Sequence, residues 1–408
     1  MANTLTPTDV YAIVNAMANE MFGTSNTLVA VNTTTFATVG EAMLRTGYEN
    51  TVNALSAVIG RTIIAARPYR GKFRIIMRVP QEFGLITRKI SFYSTKLEPS
   101  TDFNTNINGS QIVDGASIDP WKITKTYPLE VNFVGLKVTQ KNYTIFRYQL
   151  KQAFASEGAF SSFVSGLLIQ IANDLEVDMD AENRLQVLNA IGATYNVGGP
   201  RQAVNLTTEF NTFYSTSYTT AQLLSTYYED FIKFFVMRLK GDMELMSEYN
   251  TLFHLTPAKN DDAGNTLILN RHTPADARRL LLYMPMIRQA EATIFPSLFN
   301  DSYLRLENYE GVEYWQNPNV PAGVSITPNQ LDVATGAAVN GNAVALSNVV
   351  ALLFDRDALA TSVHVEDVIT SPINNRGSYY NVTYHYGKDY QLDQTENMIL
   401  YYMEDVTP

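Results

Sequence analysis

Apolar residues recur between Ala159 and Ile191 at the spacing of one helix face. Phe160, Phe163, Val164, Leu167, Leu168, Ile171 and Leu175 occupy i, i+3, i+4, i+7, i+8, i+11 and i+15. The spacing predicts a long helix with a buried stripe, opened by Ser156 with Glu157 and stopped at Gly192. After Leu175 the stripe breaks, because Asp178 and Glu182 fall on its apolar side, so this half is expected to leave the core or meet a basic partner. A second amphipathic helix spans Thr6 to Phe22, with Val10, Ile13, Val14, Met17 and Met21 on one face, Thr8 as cap and Gly23 as terminator. The Thr-, Asn- and Gly-rich stretch after it reads as an extended arm with little core, followed by a short helix at Thr51 to Ile64. Ala221 to Lys240 is a further amphipathic helix, facing inward with Leu224, Tyr227, Tyr228, Phe231, Ile232 and Phe235.

From Lys72 the period changes to two. Phe73, Ile75, Met77 and Val79 alternate with Lys72, Arg74 and Arg78, and Ile86, Ile90 and Phe92 continue the pattern. A second alternation sets Ile123, Tyr127, Leu129, Val131 and Phe133 against Lys122, Thr124, Thr126, Glu130 and Asn132. Its phase flips at Gly135, so that Val134, Leu136 and Val138 become the apolar set, as a bulge or bend would cause. With residues 94–119 as a polar tip, these strands form a protruding two-stranded ribbon, which is marginal in water unless it lies against something. Residues 250–350 mix short apolar runs with helix-like segments, an α/β unit in which Asn329 to Asn348 reads as a mobile loop. In the tyrosine-rich C-terminal part, Tyr380, Val382, Tyr384 and Tyr386 alternate with polar residues, and Met398 to Met403 is apolar on both faces. If these strands pack on the long helix, the central domain is discontinuous and 221–373 is an insertion.

Composition narrows the class. Of 408 residues, 46% are hydrophobic and 17% charged, enough to bury a large core, and the absence of cysteine removes disulfides, thiolate metal sites and cysteine nucleophiles. The N-terminus lacks a basic segment leading into an apolar core and no apolar run reaches about 18 residues, so a soluble protein with no standard export signal is expected. A net charge of −10 argues against a sequence-reading nucleic-acid binder. Charge is unevenly placed, however: Arg61 to Glu98 holds nine basic residues against Glu82 and Glu98. A basic limb on an acidic body suits nucleic acid, the acidic body of an identical neighbour, or simply a solvated face.

Catalytic chemistry finds little support. His254, His272, His364 and His385 are scattered without helical metal-site spacing, and His364-Val-Glu366-Asp367 is the only close cluster. Nucleophile-elbow, phosphate-loop and dinucleotide motifs are absent. Asp178-x-Asp180-x-Glu182 imitates the start of a calcium loop, but Asn183 stands where glycine is required and Asn189 where a bidentate glutamate belongs. A solvated or basic-partnered face is the better reading. The C-terminal tyrosines could stack sugars or bases, although strand spacing favours core and interface.

Arm, basic ribbon, long helix, inserted α/β domain and returning aromatic strands together resemble the major capsid proteins of tailed bacteriophages, the Hong Kong 97 type of fold. The similarity is nearest to small podophages of the phi twenty-nine type. It rests on Tyr11-Ala-Ile13-Val14-Asn15-Ala16, on NALSAVIGRTII from Asn53 to Ile64, and on FASEGAFSSFVSGLL within Ala153 to Ile171. The ending adds Val350-Ala-Leu-Leu-Phe-Asp355-Arg-Asp357 and Asn375-Arg376-Gly377-x-Tyr379-Tyr380. The resemblance implies an α+β chain divided as an arm with short helices (1–60), an extended loop (61–140), a peripheral domain with the spine helix (141–220), an axial domain (221–373) and return strands of the peripheral domain (374–408). It implies a shell protein and no enzyme, without cofactor or metal, forming pentamers and hexamers around double-stranded DNA held without sequence specificity. The immunoglobulin-like extra domain and fused scaffold of some relatives are not expected, so a separate scaffolding protein, a portal protein and possible decoration proteins are the implied partners, with no membrane. Assembly is expected in the host cytoplasm, and the final location in the virion. Arg70, Lys72, Arg74, Arg78, Arg88 and Lys89 on the limb, and Asp178, Asp180 and Glu182 on the helix, are the candidate subunit contacts. An encapsulin-like nanocompartment, a carbohydrate-binding or adhesion protein and, more distantly, a hydrolase are the alternatives.

Overall fold

A computed structural model of the chain describes residues 7–23, 28–55, 58, 71–78, 87–94, 121, 123, 125–133, 137–154, 156–262, 264–294 and 309–405. Arg70, Gly135 and all but the first residue of the ribbon's polar tip lie outside these. The architecture is α+β. The chain forms two compact units, each assembled from three separated stretches: Met1–Leu85, Val134–Asn183 and Thr361–Tyr390 make the first, and Ile86–Phe133, Arg184–Ala360 and Gln391–Pro408 the second.

In the first unit, α1 (Pro7–Phe22) buries Val10, Val14 and Met17 and ends at Gly23, whose φ of 83° suits a residue without Cβ. The expected extended arm is instead helical over α2 (Thr33–Thr46), which buries Phe36, Val39 and Met43. Its start is set by a reciprocal cap. The Asn32 side chain accepts from the Thr35 N–H at 2.9 Å, and Thr35 Oγ1 accepts from the Asn32 N–H at 2.9 Å. Gly40 then lets the Phe154 ring approach, since a Cβ there would sit 2.6 Å from Cδ1. A further helix, α3, covers the described residues 48–55.

The alternation after Lys72 does not make a strand. Phe73 is buried in a left-handed conformation (φ 62°), Arg74–Ile76 form one 3-10 turn, and Met77 makes a single parallel bridge to Thr361. Phe73 and Ile76 bury rather than every second residue. β3 (Lys137–Phe146) does form, in a three-stranded sheet of order β12-β13-β3 with β12 (Leu359–Thr370) and β13 (Tyr379–Leu392). Its inward side chains include Tyr143 and Ile145, whereas Val138, expected to turn inward, is half exposed. From β13, Tyr380, Val382, Tyr384 and Tyr386 enter the core at the expected period. These tyrosines are packed away, which removes them as a stacking platform.

They share that core with α4 (Arg147–Ala153) and with the long helix α5 (Glu157–Val197), through Phe160, Val164 and Ile171. Ser156 Oγ accepts from the Ala159 N–H at 3.2 Å and opens the helix as expected. Gly192 does not close it. That glycine is buried in the second unit, where a Cβ would lie 2.8 Å from Ile326 Cγ2 and 3.2 Å from Pro328, so it serves close packing rather than termination.

The second unit is built on a five-stranded mixed sheet. Its strands are β4 (Ala203–Asn205), β14 (Met398–Tyr402), β11 (Val349–Asp355), β5 (Arg278–Tyr283) and β6 (Tyr309–Val312), in the order β4-β14-β11-β5-β6. The outer pairs β4–β14 and β5–β6 are parallel, and β11 is antiparallel to both of its neighbours. α6 (Leu206–Tyr214), α7 (Thr220–Leu223), α8 (Tyr228–Met246) and α9 (Met284–Ile294) share its core. The single helix expected from Ala221 is thus two, because Thr219 and Gln222 cap each other around a one-turn helix before α8 begins. Nor is 329–348 a plain loop. β8 (Asn329–Leu331) pairs with β9 (Ala338–Asn340) across a turn in which Asp332 accepts from Thr335 Oγ1 at 2.6 Å and the Ala334 N–H at 3.1 Å, and β10 (Val344–Leu346) pairs with β7 (Val324–Ile326).

The ribbon's base belongs to this unit too. β1 (Thr87–Phe92) runs antiparallel to β2 (Pro128–Phe133), with Ile90 opposite Glu130. It is seated where Tyr93 packs on Leu267 and Leu269 and its hydroxyl donates to the Pro257 carbonyl at 3.0 Å.

Candidate functional site

Two charged arrangements dominate, one in each unit. On α5, Asp174, Asp178 and Glu182 lie at i, i+4 and i+8, one face of a helix. Opposite them stand lysines of β3 and β13: Lys141 reaches Asp174 at 2.8 Å, Lys137 reaches Glu182 at 2.8 Å, and Lys388 binds Asp178 with Glu182 at 3.9 Å. Asp180, turned away by two residues, accepts from the Lys72 backbone N–H at 2.9 Å. Burial, reinforced by the Asp174 and Asp178 charges, pushes the Tyr386 hydroxyl up to about 12, and burial likewise raises Tyr143, whose hydroxyl reaches Asp174. The tyrosines therefore stay neutral donors beside the carboxylates. Continuous helix through Asp178, Asp180 and Glu182 leaves no calcium loop, and the described residues hold no group of three metal-ligating side chains.

At the ribbon base, Lys89 donates to Asp393 at 2.6 Å and to Glu396, while Arg271 lies 3.3 Å from Glu396 and donates to Ser91 Oγ at 2.9 Å. Burial raises the Glu396 carboxyl against the pull of Lys89 and Arg271. Farther out, Arg88 pairs with Glu130 at 2.6 Å and Lys125 with Asp262 at 2.5 Å, both exposed. On the ribbon face that carries this Arg88–Glu130 pair, two large apolar side chains stay uncovered, Ile90 51% and Phe92 62% exposed. Exposed Arg74 and half-buried Arg78, whose N–H donates to the Thr361 carbonyl at 2.9 Å, lie on the 3-10 segment.

The basic partner expected for this half of the helix includes Lys388 and Lys137 of the same chain, which the sequence reading did not name. A signal existed: Lys388 sits in phase with Tyr380, Val382, Tyr384 and Tyr386, so the alternation places a lysine on a buried face that must supply an acid.

Residues 14–402 match the Phi29-like phage major capsid protein family. The chain belongs to that family. It is a capsid shell protein, and its action is association with copies of itself. Among solved capsid structures, it is similar to that of Staphylococcus phage Andhra (10% identity, 82% of this chain and 84% of that one, TM-score 0.49). It is also similar to the mature capsid of bacteriophage PhiM1 (10%, 83% and 89%, 0.42) and the capsid of Ralstonia phage GP4 (9%, 82% and 88%, 0.39). No curated protein sequence matches the chain. For a capsid subunit, the working surface is what the single chain leaves uncovered, which directs attention to Ile90 and Phe92 on the ribbon. Among the described residues no helix is long and apolar enough to cross a membrane.

Proposed function

We propose that this capsid chain adopts the Hong Kong 97 type of fold and forms pentamers and hexamers that close into an icosahedral or prolate shell around packaged double-stranded DNA. The single observation carrying this reading is the family match across residues 14–402. A separate scaffolding protein guides assembly in the host cytoplasm, a portal protein occupies one vertex, and decoration proteins attach outside. The shell does no catalysis. Its DNA contact is unspecific, since a chain of net charge −10 offers no strong counterion-releasing surface.

Subunits meet through the limb and the α5 region, with Arg70, Lys72, Arg74, Arg78, Arg88, Lys89, Asp178, Asp180 and Glu182 as contact residues. Exposed pairs contribute about 0–1 kcal/mol each, so exposed Ile90 and Phe92 on the ribbon supply much of the adhesion. Negative-stain microscopy of the protein expressed alone and with its scaffold tests the reading. Closed shells, tubes or rings of five or six are expected from the wild type, and a compact monomer under both conditions overturns it. Replacing Ile90 and Phe92 together with serine is expected to leave the subunit folded and abolish shells. Normal shells from that variant would reject the ribbon as a contact.

A further inference from the structure

We propose that one end of the three-stranded sheet is a weak, sequence-tolerant site for single-stranded nucleic acid, with the Tyr148 ring against a base and Arg147, Lys151 and Arg376 on the flanking phosphates. The Asn375-Arg376-Gly377-x-Tyr379-Tyr380 motif comes to lie here. Tyr379, which opens β13, pairs with Phe146, which closes β3, and the Arg147 N–H at the start of α4 donates to the Ser378 carbonyl at 2.9 Å. The turn that carries Arg376 is thereby held against α4. All of these residues belong to the first unit.

The cations stand here without acids. Arg147 and Lys151 follow at i and i+4 on α4. Both are exposed, as is Arg376, and none of the three makes an ion pair among the described residues. Other lysines of the unit are engaged, since Lys137, Lys141 and Lys388 each hold a carboxylate of α5. Arg147 instead lies over the Tyr48 ring, 4.1 Å from its centroid, a contact that fixes the guanidinium without cancelling its charge. Glu49, next to Tyr48 in the chain, is exposed and forms no ion pair with Arg147.

The rings supply the other requirement. Tyr148 is 61% and Phe146 39% exposed, with centroids 6.3 Å apart, and Tyr379 meets Phe146 edge-on at 5.9 Å. Asn374 Nδ2 donates to the Tyr379 hydroxyl at 3.1 Å, which leaves the phenol proton to donate elsewhere. A carboxylate surface would use the cations alone. Uncovered rings among unpaired cations match what a single strand needs, charge for its phosphates and a stacking face for any base. Neutralising three phosphates gives a log–log salt slope of about −2, so binding is weak at physiological salt.

The test is fluorescence anisotropy of a labelled oligothymidylate about 15 nucleotides long, titrated with the full chain expressed without scaffold and compared with a duplex of equal length. The wild type should bind the single strand more tightly than the duplex. Tyr148→Ala should weaken the single strand roughly tenfold and leave the duplex unchanged. Arg376→Gln should weaken both and reduce the single-strand salt slope by about 0.7. Both replaced side chains are exposed, so melting temperatures should match the wild type; if Tyr148→Ala fails to fold, the Arg376→Gln slope decides. No binding by the wild type, equal affinity for the duplex, or unchanged binding by folded Tyr148→Ala overturns the proposal. Should the patch meet an acidic surface of a second copy instead, Arg376→Gln will lose shells while wild-type subunits ignore the oligonucleotide, which also rejects it. Oligonucleotide binding by a protein that forms no shells would sustain this site and remove the capsid reading.

Discussion

Lys388 and Asp178, 210 residues apart, form an ion pair in which the lysine side chain has no exposed surface and the aspartate side chain is 52% exposed. The two partners are therefore not equivalent. If the lysine goes, water reaches the aspartate; if the aspartate goes, an ammonium stays buried with Glu182, 3.9 Å away, as its remaining ion-pair partner among the described residues.

Asp178→Asn is expected to destabilise the subunit by about 2 kcal/mol, below the ~3–5 kcal/mol for breaking a fully buried pair because water reaches this one. Lys388→Met should cost less than about 1 kcal/mol, since an apolar side chain fits the tyrosine-lined face. Urea midpoints at constant m measure both. Equal losses would mean the burial asymmetry does not govern the pair.

Two glycines on helices should respond in opposite directions. Gly192→Ala forces a Cβ to 2.8 Å from Ile326 Cγ2, and overpacking of this kind costs about 1–3 kcal/mol. Gly241→Ala meets nothing within 4 Å and should gain about 0.5–1 kcal/mol from helix propensity. Thermal melting of the two variants side by side checks the contrast.

His254 makes stability fall toward acid. It is buried, with Nε2 2.9 Å from the Leu269 carbonyl and Nδ1 3.2 Å from Asn397 Oδ1. Burial pulls its pKa below the ordinary value of 6.5 although both contacts favour the proton. The unfolded chain then binds a proton that the native chain refuses, so stability decreases as pH drops through about 6.5. Melting temperature measured from pH 7.5 to 5.5 should decline, and His254→Gln should flatten the decline. An unchanged slope in that variant would assign it to other groups. Glu396, raised by burial, has the opposite sign.

Lys89→Met should loosen the ribbon. Among the described residues, Glu396 would keep Arg271 as its ion-pair partner and Asp393, whose side chain is 1% exposed, would keep none. Amide hydrogen exchange across β1 and β2 is expected to rise, with little change in the five-stranded sheet. Uniform exchange in both would show that this cluster does not hold the ribbon.

Long-period features were legible in the sequence. The helix stripe and the alternation from Tyr380 to Tyr386 report one inward face each, and the structure buries Phe160, Val164 and Ile171 of the first and Tyr380, Val382, Tyr384 and Tyr386 of the second. Features decided by a few atoms were not. α2 opens on a Thr-rich run, and its start is set by one reciprocal cap at Asn32 and its packing by the absence of a Cβ at Gly40. The alternation at Phe73 to Met77 fits a strand equally well, and only the left-handed turn at Phe73 turns it into a 3-10 segment. Asp178 announced a basic partner without naming it, because pairing across 210 residues depends on topology rather than local period.

The order of the five-stranded sheet ties its edge to a distant stretch of chain. β14 lies between β4 and β11, hydrogen-bonded to both. Until residues 398–402 dock, β4 has no strand beside it, so this unit closes in one step that joins chain near 203 to chain near 400, and any contact surface resting on that sheet exists only once the step is complete.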